Sequence, residues 1–147
     1  MTVKEEFPSK PLYGELIALS EEWEAENSCH GYRKNTAEDI DGNRIFTARE
    51  NGVMIGYLFG YIEKNKEATS VVPEGAVCFE VEEIYVKPEY RSGGVGSELF
   101  RFAEHAVGDE VDFIMLSTAT KDHRAILHFY IDMLGMDFWN ARLFKKL

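Results

Sequence analysis

The stretch Val86-Lys-Pro-Glu-Tyr-Arg-Ser-Gly-Gly-Val-Gly-Ser97 decides how this chain folds. Pro88 cannot donate to a strand ladder, and Gly93, Gly94 and Gly96 follow it, so a strand arriving from the N-terminal side must stop here and turn. From Ser97 onward, Leu99, Phe102, Ala103, Ala106 and Val107 recur at helical spacing, and Gly108 is placed to end the helix. The unit is strand, glycine-rich turn, helix. Such a turn aims several free backbone N–H groups in one direction, at the positive end of a helix dipole, which makes it an anion site. A Cβ at Gly94 or Gly96 would hold a phosphate away from those amides, and glycine permits the positive φ angles of an amide nest.

Two other nucleotide signatures fail on spacing. A P-loop needs Lys and then Ser or Thr after its last glycine, but Gly96 is followed by Ser97 and Glu98, and a carboxylate there repels a triphosphate. A dinucleotide fingerprint needs a third glycine where this chain has Leu99. Glycines standing alone could equally form a tight loop that binds nothing.

Upstream of the turn, Ala76–Val86 alternates apolar and acidic residues and reads as the strand that enters it. Before that, Ile45–Arg49 and Val53–Ile62 flank Glu50-Asn-Gly52, the pattern of two antiparallel strands on an Asn-Gly hairpin. Leu12–Glu26 carries Leu12, Leu16, Ile17, Leu19 and Trp23 at near-helical spacing, and Thr36 can cap a short second helix. Downstream, Val111–Leu116 reads as a strand, Ala125–Leu134 as a helix ended by Gly135, and Arg142–Lys146 as a short last strand. No repeat or Pro/Ser-rich linker interrupts residues 1–147, so the expectation is a single α/β domain around a mixed sheet.

Composition narrows the function. The chain has 147 residues, 13% of them aromatic, enough to bury a core without disulfides or metals. The formal net charge of −10 argues against nucleic acid and anionic membranes, which need a basic patch, and fits a cationic ligand better. Cys29 and Cys78 have no CxxC spacing, and His30, His105 and His128 have no partner at metal spacing, so no zinc site is expected. Met1–Lys10 carries acids and a proline where a signal peptide needs an apolar run, and the expected location is cytoplasmic.

Val86-x-Pro88-Glu-Tyr-Arg91-Ser-Gly-Gly94-Val-Gly96 closely resembles motif A of the GNAT acetyltransferases, whose signature is Gln/Arg-x-x-Gly-x-Gly/Ala after a strand ending in Val-x-Pro. The order of elements resembles the family over nearly the whole chain. The resemblance implies a mostly antiparallel central sheet flanked by helices, with a V-shaped splay between the fourth and fifth strands caused by a bulge, here between Ala76–Val86 and Val111–Leu116. It also implies acetyl-CoA as co-substrate. The amides of Ser92, Gly93, Gly94, Val95, Gly96 and Ser97 would hold the pyrophosphate, with Arg91 at the first signature position. Backbone groups of Ile84, Tyr85 and Val86 would pair with the pantetheine arm as an added strand does.

A second family motif, an Asn before an apolar helix with Phe/Tyr-Tyr and then Gly-Phe, is echoed in His123–Met136. Phe129-Tyr130 fits it. Counting back from Tyr130 puts His123 at the Asn position, whereas counting from Ala125 puts Asp122 there. Tyr130 to Gly135 is one residue longer than usual, which either a π-bulge or a slipped register absorbs.

An ammonium acceptor must lose a proton before it attacks a thioester, and the leaving thiolate must gain one. The family resemblance makes Tyr130 the general acid. The stretch Val81-Glu-Glu-Ile-Tyr-Val86 resembles the acidic pair of spermidine/spermine-type N-acetyltransferases, which implies Glu82 as base through a water and Glu83 as the amine binder, with Glu80 nearby. The Val86 N–H would face the oxyanion. Substrate walls by family position are Trp23, Glu26, Tyr32 and Tyr57. The expected reaction is acetylation of a small cationic amine, polyamine-like or aminoglycoside-like; a peptide amine and a non-catalytic acyl-CoA sensor are the alternatives. Family analogy also implies a homodimer.

Overall fold

The computed structural model describes Met1–Leu147. Five strands form one sheet in sequence order: β1 (Thr2–Glu6), β2 (Arg44–Glu50), β3 (Val53–Lys64), β4 (Val77–Val86) and β5 (Phe113–Leu116). The first four pair antiparallel and β5 joins β4 in parallel, which is the mixed, mostly antiparallel sheet expected. Asn51 and Gly52 both have positive φ, 51° and 80°, as a two-residue hairpin turn matching the twist of β2 and β3 requires.

Helices cover both faces. α1 (Lys10–Glu26) starts where Ser9 accepts a hydrogen bond from the Leu12 N–H, and α2 (Ala37–Ile40) starts in a capping box between Thr36 and Asp39. Leu12, Leu16, Leu19 and Ile40 from these helices bury Ile45, Met54, Tyr57, Phe59 and Tyr85 of the sheet. On the other face, α3 (Val95–Val107) packs Leu99, Phe100, Ala103 and Val107 against Phe46, Leu58, Phe79 and Val81. Neighbours such as Ile45 and Phe46 go to opposite cores because side chains alternate along a strand.

The splay has a local cause. Phe59 pairs with Glu83 and Gly60 with Val81, so Glu82 is the extra residue of a bulge in β4. At Gly60 a Cβ would lie 2.2 Å from the Glu80 carbonyl oxygen, so only glycine admits this close approach. The bulge also changes which side chains face α1: Phe79 and Val81 point to the α3 core, whereas Tyr85 points to the α1 core. β5 pairs only with Cys78–Val81, and beyond Val81 the two strands part.

Two expectations are corrected, and one strand lies where none was expected. Thr2–Glu6, given no element above, is a strand; it has one apolar residue to alternate, and its pairing to β2 is held by Arg44–Glu5 and Arg49–Glu6 contacts of 2.8 Å. Arg142–Lys146 is not a strand, because it has no hydrogen-bonded neighbour; Leu143 and Phe144 are exposed there. The helix expected over Ala125–Leu134 begins earlier, as α4 (His123–Leu127), and continues as a π-helix over His128–Met133. No helix is long and apolar enough to cross a membrane.

Candidate functional site

The strand, turn and helix unit forms as read. β4 ends at Val86, Pro88–Tyr90 make one 3-10 turn, and α3 begins at Val95 with Gly94 as its N-cap. Ser92 and Gly94 take positive φ, 68° and 85°. The N–H groups from Ser92 to Ser97 donate to no atom of the protein, and the first turn bond of the helix is Glu98 N–H to the Gly94 carbonyl, 3.0 Å. A run of unpaired amides at a helix N-terminus is an anion cradle made of backbone alone. Gly96 has a different reason from the one expected: a Cβ there would meet the Phe129 ring at 3.2 Å, so this glycine serves the packing of α3 against the π-helix.

Arg91 turns away from this cradle. Its guanidinium donates to both Glu26 oxygens at 2.8 and 2.9 Å and, through Nε, to the Val86 carbonyl at 2.9 Å, and it lies over the Tyr85 ring. Glu26 also accepts from the Tyr85 hydroxyl, so it ties the end of α1 to the turn instead of standing free in a substrate wall.

The open flank of β4 supplies backbone groups. Lys87 N–H donates to the Ile55 carbonyl, so alternation directs the N–H and C=O of Tyr85 toward β3 and leaves both groups of Ile84 and the Val86 N–H facing the split, the Val86 carbonyl being taken by Arg91. Of the three residues expected to offer backbone groups to a ligand there, Tyr85 does not.

Tyr130 is buried in the π-helix, and its hydroxyl makes no hydrogen bond to the protein. Burial, with Cys29 beside it, raises its pKa and keeps the phenol protonated. The π-helix absorbs the extra residue before Gly135: Leu134 N–H reaches back to the Phe129 carbonyl at 3.1 Å. Of the two candidates for the Asn position, Asp122 is committed to capping α4 through the Ala125 N–H, while His123 is exposed and uncommitted. Above the split, Cys29 bridges Thr120, with His30 N–H to the Ala119 carbonyl and Lys121 N–H to the Ser28 carbonyl, so the loop after α1 is stitched to the loop after β5.

The carboxylates of β4 have three different environments. Glu83 Oε1 accepts from Tyr57 at 2.8 Å, Asn35 at 2.9 Å and Tyr32 at 3.0 Å, while Oε2 receives nothing from the protein. Burial raises the Glu83 pKa, the three donors oppose that, and Glu82 adds to it. Tyr32 stacks on Trp23 at 4.1 Å between ring centres, and Trp23 stacks on Tyr85, so Glu83 lies in an aromatic recess. Glu82, on the bulge, is exposed; Glu80 is half-buried, with its pKa raised by burial, Glu82 and Glu63. Asn35 escaped the sequence reading: its role depends on a chain of contacts in which Asn35 N–H donates to Ser20 Oγ and Ser20 Oγ donates to the Ile17 carbonyl. No group of side chains is arranged to hold a metal ion.

The acetyltransferase (GNAT) family matches residues 11–136. No curated protein matches by sequence. Among solved structures, the chain resembles the aminoglycoside N-acetyltransferase AAC(6')-Iy in complex with CoA, with a TM-score of 0.67, 17% identity, and coverage of 99% of this chain and 98% of that one. It resembles an aminoglycoside acetyltransferase from an uncultured soil metagenomic sample with a TM-score of 0.69, 15% identity, and coverage of 99% and 96%. It is also similar to the ribosomal-protein-alanine N-acetyltransferase of Brucella melitensis, with a TM-score of 0.68, 14% identity, and coverage of 99% and 100%.

Proposed function

The chain belongs to the GNAT acetyltransferase family, and on that premise we propose that it transfers an acetyl group from acetyl-CoA to a primary amine of a small cationic acceptor, polyamine-like or aminoglycoside-like. The observation that carries this reading is the Glu83 carboxylate, with one oxygen saturated by protein donors and the other free inside an aromatic recess. A carboxylate so held offers an ammonium a fixed charge at little conformational cost. A single free carboxylate oxygen beside stacked aromatic rings suits a small amine better than a peptide.

The residues fit acetyl-CoA, which when bound supplies an activated thioester. The unpaired amides from Ser92 to Ser97 are suited to its pyrophosphate, and the outward groups of Ile84 with the Val86 N–H to its pantetheine arm. His123 is available for a further contact. Two CoA complexes of a fold relative, one of them with a bisubstrate analog of acetylneamine, support the same choice of co-substrate.

Each catalytic role follows from its environment. Glu83 anchors the acceptor, with Trp23 and Tyr32 as walls. Glu82, exposed on the bulge beside it, removes a proton from the ammonium through water. The outward Val86 N–H carries charge that develops on the thioester carbonyl oxygen. Tyr130, kept protonated by burial and free of protein partners, donates to the departing thiolate.

Release of CoA thiol from acetyl-CoA, measured against polyamines, aminoglycosides, amino acids and basic peptides, tests the reading. Turnover with a small polycation is expected. Turnover with basic peptides alone would replace the acceptor class, and calorimetric binding of acetyl-CoA with no turnover at all would make the chain a sensor. A cytoplasmic homodimer completes the proposal, supported by two unpaired cysteines, by the exposed Leu143, Phe144 and Leu147, and by β5 at the sheet edge. Light scattering that gives a monomer mass would remove the dimer.

A further inference from the structure

The sheet face under α1 and α2 continues beyond Tyr57 and Phe59 into a region that neither helix covers. Alternation along β3 and β4 places Glu63, Cys78 and Glu80 on this face, and Met115 stands opposite Glu80 across the β4–β5 pairing. These side chains line a cavity of about 450 Å³ together with Trp139. Trp139 belongs to the segment after Met136, where the family match ends. Its indole N–H donates to Ser70 Oγ at 3.1 Å in the β3–β4 loop, and farther along the same segment the Phe144 ring meets His30 edge-on at 5.6 Å. The segment therefore runs from the β3–β4 loop to the loop after α1, across the open side of the uncovered face.

Glu80 makes no hydrogen bond and no ion pair, although it is half-buried and two lysines, Lys64 and Lys66, line the same cavity. Carboxylates on a bare sheet face would simply be solvated. Here an indole is anchored on the cavity that Glu80 lines, and a Met side chain gives the cavity an apolar patch. An ammonium there gains the indole face and the carboxylate together, and the carbon chain behind it lies against Met115.

We propose that Trp139 and Glu80 form a subsite for a second cationic group of the acceptor, so that the preferred acceptor is a diamine or polyamine with one amine at Glu82 and Glu83 and another at Trp139. This rests on the acetyltransferase reading above and names the acceptor within it. Because of the bulge, Glu80 and Glu83 face Tyr61 and Phe59, two strand steps apart on β3, which is about 7 Å. A monoamine cannot reach both places; a diamine with a spacer of several methylenes can.

The test compares kcat/KM for butylamine and for α,ω-diaminoalkanes of increasing length in the wild type, Trp139→Ala, Trp139→Phe and Glu80→Gln. The wild type is expected to prefer diamines. That preference falls about tenfold in Trp139→Ala and Glu80→Gln and largely returns in Trp139→Phe. Equal losses for monoamine and diamine, or no preference in the wild type, would overturn the subsite. A second readout needs no turnover: in Trp23→Phe, whose one remaining indole is Trp139, diamine titrated without acetyl-CoA should change tryptophan fluorescence where butylamine does not, and adding Glu80→Gln should abolish that change. If no amine is acetylated and this pattern holds, the reaction fails and the subsite stands. No response in Trp23→Phe, or one that survives Glu80→Gln, sinks the subsite whatever the turnover.

Discussion

The two sides of the split between β4 and β5 are built from different materials. On the turn side, the cradle from Ser92 to Ser97 is backbone: unpaired amides with no side-chain cap, shaped by positive φ at Ser92 and Gly94. On the carboxylate side everything is side chain, with Glu83 held by Tyr32 and Asn35 from the loop after α1 and by Tyr57 from β3. A backbone site tolerates side-chain exchange and is sensitive to φ. A side-chain site is sensitive to each partner. The first can be shared by every relative that binds the same cofactor, while the second can differ with the acceptor.

The largest effect should come from the point where both sides depend on one piece of geometry. Gly60→Ala forces a Cβ against the Glu80 carbonyl and removes the bulge, and denaturant unfolding should show a loss of about 3 kcal/mol or more. A loss below about 1 kcal/mol would mean that the bulge survives without the close approach. Next, Tyr130→Phe should lower kcat about 100-fold with unchanged acetyl-CoA affinity. Because the hydroxyl bonds to nothing in the protein, the melting temperature should not move, and a stability loss would make Tyr130 a structural residue instead.

Glu83→Gln should raise the acceptor KM about tenfold with a smaller change in kcat. Burial raises the Glu83 pKa, so its charge is present above that raised value and is lost as pH falls through it. Acceptor KM in the wild type should therefore rise on acidification at a pH above the ordinary carboxylate range, and the variant should lack that limb. An unchanged acidic limb would assign it to another group. The smallest effect tests the backbone side: Ser97→Ala, which keeps its amide, should leave acetyl-CoA affinity within about twofold by calorimetry. A tenfold loss would give the cradle a side-chain component and erase the contrast.

Local signals were readable wherever a few consecutive residues set the backbone. Asn51-Gly52 could only be a tight hairpin turn, and Pro88 with the glycines after it could only end a strand. β1 was hidden because Thr2–Glu6 offers one apolar residue to count, and its stability comes from β2 and from Arg44 and Arg49 some forty residues away. The last strand was read where no ladder partner exists. The recess around Glu83 was half-visible: Tyr32 and Tyr57 could be named by family position, but Asn35 carries no signal of its own in the sequence.

The bulge and the family followed from a resemblance; by itself the sequence determined the elements from the Asn51-Gly52 hairpin to α3 and the turn whose amides stay free. These rest on periodicity, on glycine and proline at particular places, and on amides that any folded turn of this kind must leave unpaired. Only the tertiary structure decided how those parts are used. It committed Arg91 to Glu26, put a π-turn around Tyr130, left one oxygen of Glu83 open and brought Trp139 over the uncovered face. Each of these is a contact between residues distant in the chain, made when helix and sheet close on one another, and no local pattern specifies it.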